Sequence, residues 1–215
     1  MPDLPAPGSP LPGSPTPSGA PARPAWPRRL WREWILGAAL PIWVVITFGF
    51  TFARVDGDSM NPTLHTGDIA LLLKYPRWLR AWKLWEGYPR RGDIVVFRAP
   101  ASSPYAYQNS VFQGGLFGVH PRPYNIKRVI GLPGDTVGVS GGRVRVNGRP
   151  ISEPYTAVST DRSEPAVKLG SNEIYVLGDN RLVGESVDSR YYGPVNLSDV
   201  AGPANWHLSL TRPEN

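Results

Sequence analysis

The sequence predicts a mainly β protein: an antiparallel sheet or barrel domain following a single N-terminal transmembrane helix. Three observations predict it. One uncharged apolar run, Trp34 to Ala53, precedes everything else that is patterned. After it come short apolar runs bounded by Gly-Asp pairs. No later stretch carries a long helical period. The 215 residues suit one medium domain plus appendages, and a hydrophobic share of 41% is enough for a core.

The first segment, residues 1–27, is almost entirely Pro, Ala, Gly, Ser, Leu and Thr. Such a stretch cannot bury enough apolar surface to offset the entropy of ordering, so a disordered tail is expected. Residues 28–53 read as the membrane helix. At about 1.5 Å per residue, the run from Trp34 to Ala53 covers roughly the 30 Å hydrocarbon layer. Trp26, Trp31 and Trp34 stand at its entry, where amphipathic rings favour the headgroup zone, and Pro41 would bend it slightly. Arg28, Arg29 and Arg32 precede it and only Arg54 follows at once, so the positive-inside rule places the tail in the cytoplasm and the rest outside. A buried helix of a soluble core and a cleaved leader are the alternatives.

Residues 54–215 read as an extracytoplasmic β-rich domain. Ile69 to Leu73, Ile94 to Phe97 and Ile174 to Leu177 are strand-like runs, the last ending at Gly178-Asp179. Arg143-Val144-Arg145-Val146 alternates, and Asn147-Gly148 is a two-residue hairpin signal. Two insertions interrupt the pattern. Residues 75–91 carry Trp78, Leu79, Trp82 and Trp85 among Arg77, Arg80, Lys83, Arg90 and Arg91. As one short helix these four apolar residues would share a face suited to a membrane interface, or pack on the sheet. Residues 99–123 lack a period and read as a loop.

The composition excludes some chemistry. There is no Cys, so no disulfide, thiolate nucleophile or zinc–sulfur site. His65, His120 and His207 are the only histidines and lie far apart, which poorly supplies a Ser-His-Asp triad or a His-rich metal site. No cofactor and no metal is expected. The net charge of +6 fits nucleic acid, an acidic partner or an anionic membrane. The cations gather by the tryptophans and the apolar run, which favours lipid over nucleic acid.

Three polar stretches carry the chemistry. Val55-Asp56-Gly57-Asp58-Ser59-Met60-Asn61-Pro62-Thr63-Leu64 sets a serine in a turn just after the apolar run. Most such serines are structural. Lys127 interrupts the apolar strand Asn125 to Gly131. Most strand lysines are solvated, but one buried beside Ser59 would lose its proton near pH 8 and could take the serine proton. Gly178 to Val195 is dense in polar groups, and its Asp188 and Arg190 could form a bidentate pair.

Together these stretches resemble the type I signal peptidase family, in four boxes in order: Ser59-Met60-x-Pro62-Thr63-Leu64, Gly92 to Phe97, Lys127 to Asp135, and Gly178 to Arg181 with Asp188 to Gly193. The resemblance implies a serine endopeptidase with a Ser/Lys dyad. Ser59 would be the nucleophile and Lys127 the general base. Ser186, or Ser189 in its place, would orient the lysine. Asp188 and Arg190 would form a supporting salt bridge, and the Ser59 N–H would donate to the oxyanion. Val55 and Ile126 would line substrate pockets for small side chains, the Ala-x-Ala pattern. The family's second oxyanion donor in some members falls here on Gly57, which has no side chain to offer. The implied partners are exported preproteins with signal peptides and the lipid bilayer of the plasma membrane, with a monomeric chain. A pilus or conjugation peptidase of the same dyad class, and a non-catalytic tethered β-domain, are the alternatives.

Overall fold

The computed structural model describes residues 31, 33–84, 87–107, 122–160 and 163–209. The predicted tail, Trp85 and most of the 99–123 loop lie outside these. The chain divides into two compact units, 1–41 and 42–215.

In the first unit a π-helical turn occupies Ile35–Ala39. Helix α1 (Leu40–Val44) begins there and ends in the second unit, where a further π-helical turn follows at Val45–Gly49. The helical part of the apolar run stops at Gly49. Strand β1 (Phe50–Arg54) takes the remainder, which corrects the expected helix through Ala53. The reason is local and tertiary together. Phe50, Thr51 and Phe52 are strand formers, and they find a ready antiparallel partner in β2 (Ile69–Leu73), with Phe50 opposite Leu73 and Arg54 opposite Ile69. Among the described residues no helix is long and apolar enough to cross a membrane.

Helix α2 (Tyr75–Ala81) opens on Pro76, whose fixed φ suits the first turn. It ends before Trp82, and Lys83 adopts φ 56°. Trp82 N–H still donates to Trp78 O at 3.0 Å and the two rings lie 6.4 Å apart, so Trp78 and Trp82 share a side as expected, while Trp85 falls outside the described residues. Trp78 is half-buried against Phe48, ring centroids 5.2 Å apart, while Trp82 is 61% exposed.

The remaining elements are strands β3 (Ile94–Arg98), β4 (Tyr124–Gly131), β5 (Thr136–Ser140), β6 (Arg143–Val146), β7 (Arg149–Pro150), β8 (Glu164–Lys168) and β9 (Glu173–Leu177). Helix α3 (Ser189–Tyr192) and strands β10 (Val195–Asn196), β11 (Val200–Pro203) and β12 (Trp206–Leu208) follow. Asn147 and Gly148, at φ 52° and 78°, make the left-handed pair that the β6–β7 hairpin needs.

Among the described residues three antiparallel sheets result, in the orders β1-β2-β12, β10-β9-β4-β3-β11 and β7-β6-β5-β8. The middle sheet explains why β3 reads as an unbroken apolar run. Ile94 and Val96 enter one core with Val55, Met60 and Leu64; Val95 and Phe97 enter a second with Val129 and Val176. A third core joins Ile130, Tyr175 and Leu177 to the valines of β5 and β6. Strand β4 feeds all three, and Lys127 stands in its middle opposite Val95.

Candidate active site

The nucleophile turn is fixed before any polar contact is made. Val55, Met60 and Leu64 are buried anchors in the first core on either side of Ser59, so the half-buried serine sits on a short arc between them. Gly57 takes φ 91°, which only glycine accepts without strain, and so lets the chain reverse into the arc. The arc closes on itself through Asn61 N–H to Asp58 O (3.1 Å) and Thr63 N–H to Met60 O (2.8 Å).

Lys127 reaches this arc from β4. Its Nζ lies 2.6 Å from Ser59 Oγ and 3.0 Å from Ile126 O. The side chain is only 5% exposed. Burial disfavours the ammonium and brings its pKa down to about 8; the Asp188 and Asp179 carboxylates oppose that fall and the Arg190 guanidinium adds to it. At pH 7 about one lysine in ten is then neutral, against under one in a thousand for a solvated lysine. The two residues named as dyad partners are thus in contact, in a setting where the amine can accept the hydroxyl proton.

The third polar stretch wraps the same site. Arg190 grips Asp188 through Nε to Oδ1 and Nη2 to Oδ2, each 2.8 Å. Asp188 also caps α3 and accepts from Gly178 N–H at 3.0 Å. Ser186 donates its hydroxyl to Asp188 Oδ2 at 2.8 Å and has no hydrogen bond to Lys127, so the direct orienting contact that the resemblance implies is not made. Ser189, the other candidate for orienting the lysine, accepts from Val176 N–H and is committed to the strand. Val55 is buried in the first core, and half-buried Ile126 packs against it.

Several residues around the site had no role assigned from sequence. Arg128, next to Lys127, forms a buried bidentate pair with Asp179 (2.8 and 2.6 Å), and Thr63 Oγ1 donates to the same carboxylate (2.6 Å). This ties the nucleophile arc, the lysine strand and the Gly178-Asp179 turn to one another. Arg181, 1% exposed, binds Gly178 O and Glu153, while the Tyr155 ring lies 4.1 Å from the Arg128 guanidinium. The signal was available in the Lys-Arg and Gly-Asp-Asn-Arg runs, which set cation and carboxylate beside the dyad boxes. Gly178 is required by a close approach: a Cβ there would come within 2.2 Å of Ser186 Oγ and 2.4 Å of Ser59 O. Among the described residues no group of His, Asp and Glu is placed to hold a metal.

A desolvated lysine amine touching a serine hydroxyl, on a β scaffold, is the working pair of a serine–lysine acyl-transfer enzyme. The chain belongs to the signal peptidase, peptidase S26 family, whose sequence profile matches residues 28–208. It is 35% identical over 158 residues to signal peptidase I of Leptolyngbya laminosa, covering 74% of this chain and 68% of that one. It is 31% identical over 188 residues to signal peptidase I S of Bacillus subtilis, covering 82% and 86%. A crystal structure of a signal peptidase I from Enterococcus faecalis matches with TM-score 0.39 and 29% identity, covering 54% of this chain and 95% of that one.

Proposed function

We propose that this chain is a membrane-bound serine endopeptidase that removes signal peptides from exported preproteins after an Ala-x-Ala-like site. The observation that carries the reading is the 2.6 Å contact between Ser59 Oγ and the buried Lys127 amine, in a chain of the signal peptidase family.

The chemistry runs as acyl transfer. Neutral Lys127 takes the Ser59 hydroxyl proton as Oγ bonds to the scissile carbonyl carbon, and the carbonyl electron pair moves onto oxygen. The Ser59 N–H makes no hydrogen bond among the described residues and serves as oxyanion donor. Collapse breaks the C–N bond, and the Lys127 ammonium returns its proton to the leaving amine. Water, deprotonated by Lys127, then hydrolyses the ester. Asp188 and Arg190 hold the wall behind the lysine, with Ser186 buttressing Asp188. Val55 and Ile126 line the pockets for small side chains.

The bilayer is the second partner in this reading. The apolar segment that ends at Gly49 anchors the chain, with the tail cytoplasmic and the peptidase domain outside as a monomer. In the second unit, Phe52, Trp82, Leu84, Trp206 and Leu208 are each more than 60% exposed, which supports contact with lipid.

The test uses the full chain in detergent with a test preprotein carrying Ala-x-Ala, and mass-spectrometric mapping of the products. A single cut after the second alanine, absent in Ser59→Ala, is expected. A cut elsewhere, or one that survives Ser59→Ala, overturns the reading.

A further inference from the structure

Asn180 touches the nucleophile arc twice. Its backbone N–H donates to Ser59 O at 3.1 Å, and its side-chain Nδ2 donates to Asp58 O at 3.2 Å. These two carbonyls belong to the two peptide groups on either side of the Ser59 Cα. A peptide group is planar and trans, so holding its C=O fixes its N–H in the opposite direction. The Asp58 carbonyl and the Ser59 N–H are one such group. The other group is the link from Ser59 to Met60. The rotations of these two planes about the Ser59 Cα are its φ and ψ, so one residue constrains both.

Asn180 is well placed to impose that constraint. Its Oδ1 accepts from Leu182 N–H at 3.3 Å, and its neighbour Asp179 is locked by Arg128 and Thr63. The Asn61 N–H also reaches Asp58 O, but it lies within the arc and moves with it. The Nδ2 donor comes from outside. A hydrogen bond at the Asp58 oxygen also polarises the peptide, which makes the Ser59 N–H a stronger donor.

We propose that Asn180 is a positioning residue for the oxyanion site: its side-chain amide orients and polarises the Asp58–Ser59 peptide so that the Ser59 N–H meets the developing negative charge. The inference rests on the serine–lysine peptidase reading and adds a residue to it. Its consequence is specific. The gain arises where charge develops on the carbonyl oxygen, so loss of the amide lowers kcat and leaves KM nearly unchanged.

Asn180→Asp isolates the contact. The carboxylate keeps an acceptor for Leu182 N–H and leaves the backbone donor to Ser59 intact, but offers no donor to Asp58 O. Asn180→Ala removes the whole side chain without adding charge. Full-length wild type and both variants are compared in detergent on the test preprotein, at the pH plateau of each, with melting temperatures alongside. An Ala-x-Ala peptide aldehyde, which closes onto serine as a tetrahedral oxyanion, is the inhibition probe. Loss of a direct oxyanion donor costs about 100- to 1,000-fold in kcat, so loss of its orienting partner is expected to cost about 10- to 100-fold. KM should stay within about twofold, and aldehyde affinity should fall in step with kcat/KM. The ascending pH limb of Asn180→Ala should coincide with that of wild type. Unchanged kcat in both variants, a loss confined to KM, or a loss accounted for by lowered melting temperature overturns the proposal. A wild-type chain that does not cleave, or a Ser59→Ala chain that does, overturns the peptidase reading itself before the Asn180 variants are measured.

Discussion

Arg190 and Asp188 form two parallel hydrogen bonds, both 2.8 Å, with the carboxylate fully buried and the guanidinium nearly so. Their opposite charges act on Lys127 in opposite directions: Asp188 raises the lysine pKa and Arg190 lowers it. Neutralising Asp188 as Asp188→Asn should therefore move the ascending limb of the rate profile to lower pH. Arg190→Gln should move it to higher pH. Initial rates against pH for the two variants check the signs, and two shifts of the same sign would contradict the assignment. Each variant also breaks a buried pair, at a stability cost of about 3–5 kcal/mol, so profiles are taken well below the melting temperature.

In the proposed mechanism the active form is neutral Lys127. With its pKa at about 8, cleavage should rise with pH through a midpoint near 8 and fall about tenfold per pH unit below 7. Lys127→Arg should be inactive across this range because guanidinium stays protonated. A limb near pH 6.5 that disappears in His65→Ala, His120→Ala or His207→Ala would transfer the base to that histidine.

The same depressed pKa has a stability consequence. The folded state binds fewer protons than the unfolded one between pH about 8 and 10.5, so this group's contribution to stability rises with pH across that window. Below pH 8 the buried ammonium is a constant penalty, on the order of 3 kcal/mol for a shift of this size. Lys127→Met should raise the denaturant midpoint at pH 7, with the advantage shrinking above pH 8. A less stable Lys127→Met at pH 7 would refute the burial argument.

Gly178→Ala should be among the most damaging small substitutions in the domain. The added methyl would meet Ser59 O and Ser186 Oγ at distances no real Cβ tolerates, so the nucleophile arc must lift from the turn. Loss of at least about tenfold in kcat/KM is expected, with destabilisation of about 1–3 kcal/mol from overpacking. Gly134→Ala is the control, since that Cβ meets nothing within 4 Å and incurs only its φ of 83°. Equal effects at both positions would remove the close-contact explanation.

Much of this was legible beforehand, and the reasons are physical. The β2, β3 and β9 strands were readable because each is a short apolar run closed by turn residues, and β6 because it alternates into Asn147-Gly148. Ser59 and Lys127 were readable as a pair through the boxes that surround them, although 68 positions separate them. Other features depend on tertiary context. Phe50 to Ala53 continue an apolar run, and only the ladder with Ile69–Leu73 makes them a strand. Trp78 and Trp82 do keep rings on one side, 6.4 Å apart, but the helix ends at Ala81, a boundary no periodicity marks. The direction of the Ser186 hydroxyl follows from a carboxylate two residues away whose own position depends on Arg190. The bridge from Asn180 to the serine peptide is invisible in any pattern of residue types, since it lies half in the backbone.

Strand β4 places Ile126 against one core, Val129 in a second and Ile130 in a third, with Lys127 between them. A segment shared by three hydrophobic clusters has no cheap way to detach, because releasing it exposes part of each. Its amide protons should then trade with deuterated solvent only when the whole second unit opens, while the three-residue edge strand at Trp206–Leu208 exchanges early. The proposed general base is thus built into the slowest-breathing part of the molecule, so substrate must come to a fixed amine and cannot draw one in.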